Sequence, residues 1–497
     1  MPTLIPDLLY RDGAFHADLA LAFDEADGRI TAIKPATEVA AAEAAAGGDV
    51  VRLPGRALLP GFVNAHSHAF QRLIRGRTQW RPADASVSDF WSWREAMYAA
   101  ALALEPDDVY TVSRFCFTEM LLAGITTVGE FHYLHNDPSG RPYADPAELA
   151  RQVIRAARDA GIRIRLLNVC YATGGIGQPL GNRQRRFATL DLDAFMATTA
   201  ALAGDSPGDS HGGSADAPLV TAGVAPHSVR AVPTDWLPAL HEFASARDMP
   251  FHMHVSEQPA EVDACVAAFG RRPVELLHDA GVLDGRFTGV HATHINDAEV
   301  RMLADARAVV CACPATERDL GDGILRAVDL VRAGVGIALG TDSQTIIDML
   351  EEMRLVEYHE RLRRLERVVV TLPAGAVRGA AGASRQQGAG AAEPRLEPAP
   401  LLLDMATRQG ARSLRLPVGA LEEGRPADLV AVDLDHMALA GWTTETLGAT
   451  LALSAPGDAI ADVWVGGRAV VTDRRHHAME ETMRHFNELA RRTADPS

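Results

Sequence analysis

Leu58-Leu59-Pro60-Gly61-Phe62-Val63-Asn64-Ala65-His66-Ser67-His68-Ala69-Phe70-Gln71-Arg72 is an apolar run that ends in two histidines one residue apart. Residues i and i+2 of a strand point to the same side. At the end of a strand, His66 and His68 would face one point and grip one metal ion. A lone His-x-His says little, so the reading depends on what recurs further along the chain.

Working outward, the middle of the chain alternates strand and helix. Strands are predicted at Thr126–Phe131, Arg163–Val169, Leu219–Val224, Pro250–Val255, Phe287–His291, Ala308–Cys311 and Val335–Gly340. With Leu58–Val63 these make eight. Helical patterns fall between them, at Asp107–Leu122, Pro146–Ala160, Asp235–Arg247 and Glu299–Asp305. Eight strand-then-helix units predict an α/β chain folded as a (β/α)8 TIM-like barrel. Both ends read as short strands with glycine turns, such as Leu19–Phe23 and Ala461–Val471. They predict one small β-sandwich domain built from both termini. The expected boundaries are 1–57 and 417–475 for that domain, 58–416 for the barrel and 476–497 for a C-terminal helix or tail. Gly204–Pro218 and Leu372–Pro400 lack periodicity and read as loose surface loops.

Active sites of parallel barrels form where the strand C-termini meet. His66 and His68 end strand one, and His254 ends strand five with Glu257 three residues on. His291 ends strand six, and Asp342 follows strand eight. Imidazole or carboxylate at four separate strand ends points to a shared centre. His66, His68, His254 and Asp342 suit one divalent ion, zinc by default, with room for a water. Such an ion lowers the pKa of bound water towards neutrality. Glu257 is placed to carry a proton from that water to a leaving nitrogen, and His291 to hold the nucleophile or assist as a base. Some metal barrels bridge two ions with a carboxylated lysine, but the single lysine, Lys34, precedes the barrel. One metal is therefore expected.

Composition narrows the partners. The formal net charge is -17, which argues against nucleic acid and anionic membranes. The five cysteines form no disulfide framework and suit a reducing, cytoplasmic setting. The N-terminus carries no signal-peptide pattern, and no transmembrane span is expected.

The His66 to His68 stretch, His254-Val255-Ser256-Glu257, His291 and Asp342 together resemble the amidohydrolase superfamily in its mononuclear deaminase branch. Gly419–Val430 is similar to that superfamily's β domain. Within it the chain resembles the formimidoylglutamate deiminase family over nearly its whole length. The carrying motifs are His66–Arg72, Phe90-Trp91-Ser92-Trp93-Arg94, Glu130–His135 and Arg141–Pro146. Gly177-Gln178-Pro179, Arg185-Arg186-Phe187, His227-Ser228-Val229-Arg230, Val290–His294, Thr316-Glu317 and Leu320–Gly323 continue them. Three places depart from the family pattern, one being the Leu372–Pro400 insertion, which is longer than expected. Ala312-Cys313-Pro314-Ala315 stands where serine is common, and Gln344 stands where histidine is expected.

The resemblance implies hydrolysis of N-formimino-L-glutamate to N-formyl-L-glutamate and ammonia, in histidine degradation, by a homodimer. An acidic protein needs local arginines to hold a dicarboxylate. Arg94 and Arg230 are the candidates, and the resemblance adds Gln71, Tyr133 and His227 to the binding shell. Two alternatives stay open. One is another deaminase of the same branch, acting on guanine, cytosine or a triazine. The other is a decayed, metal-free barrel serving as a binding protein.

Overall fold

The computed structural model describes residues 2–39, 50–81, 83, 88–204, 219–372 and 395–494. The expected loose segments fall largely on residues outside these. Eight parallel strands form one sheet in sequence order: Phe62–Ser67, Ile125–His132, Arg163–Cys170, Val220–Pro226, Phe251–Val255, Phe287–His291, Val309–Ala312 and Gly336–Leu339. They are numbered one to eight below. Nearly every residue in them is buried, because helices cover one face and the barrel interior the other. Pro106–Leu122, Glu148–Ala160, Leu192–Gly204, Leu237–Ala246 and Met349–Arg364 are among the covering helices.

The seam between strands eight and one carries no regular ladder. It holds a single bridge, in which His68 N donates to Asp342 O and Asp342 N donates to His66 O, each at 3.0 Å. Side chains complete it. Asn64 Nδ2 donates to Thr341 Oγ1 at 2.6 Å, and Thr341 N donates to Asn64 Oδ1 at 3.0 Å. Gln344 Nε2 reaches Ser67 Oγ at 2.9 Å, and its Oε1 accepts from Thr341 Oγ1 at 2.8 Å.

The two chain ends meet in a nine-stranded mixed sheet. The apolar run that opens the barrel is divided between the two sheets. Val50–Pro60 pairs in the end sheet, with Leu58 opposite Leu9 on one side and Ala431 on the other. Strand one begins only at Phe62. Gly61 stands at the break, where a Cβ would lie 2.2–2.8 Å from the Thr126 side chain. The end sheet is tied to the barrel by Arg163 and Asp428, both about 1% exposed at the side chain, which pair through two hydrogen bonds of 2.9 and 3.0 Å. The C-terminal helix Met479–Arg492 lies on Pro106–Leu122, where Phe486 stacks on Phe115 at 4.1 Å.

Candidate metal centre and active site

The barrel brings His66, His68, His254 and Asp342 to one point, their ligand atoms all within 4.8 Å of one another. His66 Nε2 is 3.2 Å from His68 Nε2 and 3.1 Å from His254 Nε2. Asp342 Oδ1 is 3.4 and 3.3 Å from the first two. The tautomers can be deduced. His68 Nδ1 faces the Phe131 carbonyl at 2.9 Å and His254 Nδ1 faces the His227 carbonyl at 3.1 Å. A carbonyl only accepts, so both Nδ1 atoms carry the proton and both Nε2 lone pairs point inward. Burial pushes His66 down to about 3 and His254 well below its ordinary range, so these imidazoles are neutral. Burial alone would raise Asp342, but the imidazoles of His66, His68 and His291 around it hold it well below the usual carboxylate range. Converging lone pairs beside an ionised carboxylate fit a small divalent cation.

Backbone strain aims the groups around this centre. Ser256 has φ +50°, which turns the chain sharply after strand five and brings Glu257 back over the strand ends. His291 and Asp342 are also in the left-handed region, at +68° and +46°. His291 Nε2 lies 3.8 Å from Glu257 and 3.7 Å from Asp342, and Nδ1 lies 3.3 Å from Glu317. Burial pushes His291 down, but the surrounding carboxylates outweigh it and hold it well above its ordinary range. His291, Cys313 and Asp342 form a second close grouping, which reuses Asp342.

Above the centre, His68, Gln71, Arg94, Tyr133, His227, Arg230, His254, Glu257 and Asp342 line one cavity. The sequence-predicted binding residues are therefore brought together with the metal set. Gln71 Nε2 donates to Tyr133 OH at 2.8 Å, and its buried Oε1 has no hydrogen-bond partner among the described residues. Arg230 donates to Glu257 Oε2 at 3.0 Å and lies 3.2 Å from Glu261. The Arg94 guanidinium sits 4.5 Å from the Trp91 ring centre. Lys34 lies on strand Ile30–Pro35 of the end sheet, away from the barrel strands.

Several residues escaped the sequence reading. Tyr171 directly follows strand three, so the strand-end rule applied to it. Tyr98, four residues beyond Arg94, shares a face of the helix Phe90–Leu102 with it, and Glu261 lies on the helix Pro259–Phe269 that follows Glu257. Gln184 carries no local signal. Glu130 ends a hydrogen-bonded path behind the ligands, accepting from Ser67 Oγ and from Ala69 N at 2.7 Å. Gln344, the departure from the expected histidine, occupies the seam beside it.

Three likenesses bear on this site. A 37% identical relative, formimidoylglutamate deiminase of Pseudomonas aeruginosa, aligns over 93% of each chain. The crystal structure of an amidohydrolase from Brucella melitensis superposes with TM-score 0.83 and 30% identity over 100% of both chains. A zinc-bound adenosine deaminase from Xanthomonas campestris shares the fold, with TM-score 0.77 and 23% identity over 99% of this chain and 98% of its own. The amidohydrolase family model matches residues 57–470, which takes in the whole barrel and both halves of its metal set. With the three-histidine, one-aspartate centre at the strand ends, this makes the chain a member of the amidohydrolase family.

Proposed function

We propose that the chain hydrolyses N-formimino-L-glutamate to N-formyl-L-glutamate and ammonia. The observation that carries this is the pair Arg94 and Arg230 in the cavity that opens onto the metal centre. Two guanidiniums suit two carboxylates. The 37% identical relative of that name supports the same substrate.

His66, His68, His254 and Asp342 hold the cation, zinc on this reading, which when bound supplies a nucleophilic water at neutral pH. Glu257 takes a proton from the attacking water and delivers it to the departing nitrogen. The new C–O bond forms at the formimino carbon, its C–N bond to the terminal nitrogen breaks, and ammonia leaves. Arg230 fixes the Glu257 carboxylate from one side. His291, protonated and backed by Glu317, donates through Nε2 to the oxygen that adds. Arg94 and Arg230 bind the carboxylates, with Gln71, Tyr133 and His227 around the formimino group. We infer further that the chain works as a cytosolic homodimer in histidine breakdown, with residues 1–57 and 417–475 as its small domain. Five buried, unbridged cysteines support a reducing compartment.

Phe90, Trp93, Tyr98, Tyr171 and Phe187 give the cavity an aromatic wall, which favours a second reading as a ring deaminase. Ammonia release from N-formimino-L-glutamate, guanine and cytosine separates the two. The expected result is turnover of the first alone. A folded protein that retains zinc and releases ammonia only from guanine or cytosine would overturn the proposal.

A further inference from the structure

Gln184, a buried residue on the 3-10 turn Asn182–Phe187, organises one wall of the cavity. Its amide has one sensible orientation. Gly181 N donates to Oε1 at 2.8 Å, and the Gly174 carbonyl lies 3.2 Å from Nε2. The flipped amide would set N–H against N–H and carbonyl against carbonyl. Nε2 therefore also faces the hydroxyl oxygens of Tyr171, at 2.9 Å, and Tyr98, at 3.3 Å. Two N–H groups serve three acceptors, so one of them is shared. An amide NH2 only donates, so both phenols accept from it.

Each phenol then has its own O–H to direct elsewhere. Burial pushes the Tyr171 phenol well above its ordinary range, so its proton stays on. Should Tyr171 turn that proton to Tyr98, the Tyr98 proton is still free for the cavity. Phe187 packs on both rings, with centroids 5.5 and 5.7 Å away, and His227 lies 4.7 Å from Tyr171. The rings are held in place. Tyr98 is one helical turn from Arg94, whose guanidinium is 5.5 Å from the Tyr98 ring centre. Arg230, by contrast, stands beside Glu257 on the metal side.

We propose that Tyr98 and Tyr171, with their acceptor sides engaged by Gln184, form with Arg94 a donor-only subsite for the substrate's distal carboxylate. This rests on the deiminase reading above. A carboxylate has acceptors alone and suits such a site. A side-chain amide in its place would set N–H groups against donors, so the subsite selects glutamate over glutamine derivatives.

The test compares N-formimino-L-glutamate with N-formimino-L-glutamine on the zinc-loaded full chain. In the double variant Tyr98→Phe/Tyr171→Phe, KM for the glutamate derivative should rise about tenfold or more, with kcat within about threefold. The preference over the glutamine derivative should fall by a similar factor. Gln184→Glu keeps both rings but gives the phenols a carboxylate to donate to, and should cause the same loss. It also serves should the double variant fail to fold. A folded variant of either kind with KM and preference within twofold of wild type would overturn the subsite. A zinc-loaded wild type that leaves N-formimino-L-glutamate intact would instead overturn the deiminase reading, and the subsite with it.

Discussion

At the scale of single residues, the metal centre is held by close packing as much as by its ligands. Gly340, at the end of strand eight, has no room for a side chain. A Cβ there would lie 2.8 Å from both the Cβ and the carbonyl oxygen of His66, and 3.0 Å from Cys313 Sγ. Gly340→Ala should displace His66 and weaken metal binding by about 10- to 100-fold, the range found when the supports of a ligand are disturbed. Competition with a chelating dye would measure it. The ligands themselves were legible in the sequence because barrel topology forces strand ends together, so residue type and position sufficed. Gln184 was not legible, since its phenol partner Tyr98 lies 86 residues away and nothing local marks the contact. In the sequence Gln344 stands out only as an unexpected residue; its hydrogen bonds to Ser67 and Thr341 give it a task at the seam.

At the scale of elements, the eight strands could be read because burial on both faces leaves uninterrupted apolar runs. The start of the first could not. Leu58–Pro60 is as apolar as Phe62–Val63, and the two stretches part at Gly61 to pair in different sheets, which the local pattern does not encode. The join between the end sheet and the C-terminal helix offers a prediction. His476 Nε2 donates to Ala160 O at 2.9 Å while Nδ1 accepts from Ala478 N at 3.1 Å. Both bonds need the neutral ring. Burial first, then the charges of His477 and Arg114, push His476 down to about 4. The unfolded value is about 6.5. Between these the unfolded chain binds more protons, so stability is complete above pH 6.5 and is lost as pH falls towards 4. His476→Gln should lose about 1 kcal/mol less stability than wild type between pH 7 and pH 5. Urea unfolding at the two pH values would show it.

At the scale of the whole molecule, the buried Arg163–Asp428 pair couples the barrel to the sheet made by the chain ends. Asp428 also accepts from Gly466 N at 2.7 Å, so one carboxylate serves both bodies. Asp428→Ala takes the counter-charge from a buried guanidinium and should cost about 3–5 kcal/mol in urea unfolding. Because the pair joins the start of strand three, at the opposite end from the ligands, the metal stoichiometry of the folded variant should match wild type. The general architecture was readable from strand count and order. The pairing of residue 163 with residue 428 was not, since one buried ion pair leaves no mark in composition or periodicity.

The seam between the last and first strands has a consequence for how the protein ages in a test tube. Asp342 stands on one bank and His66 and His68 on the other, so a bound ion rivets a gap that the backbone spans with a single bridge. Stripping the ion should let that side of the cylinder breathe. Amide exchange at 62–67 and 336–342 should quicken after chelation while strands three to five keep their protection, and re-addition of zinc should reverse it. Demetallation would then be a local change of shape as well as a loss of chemistry.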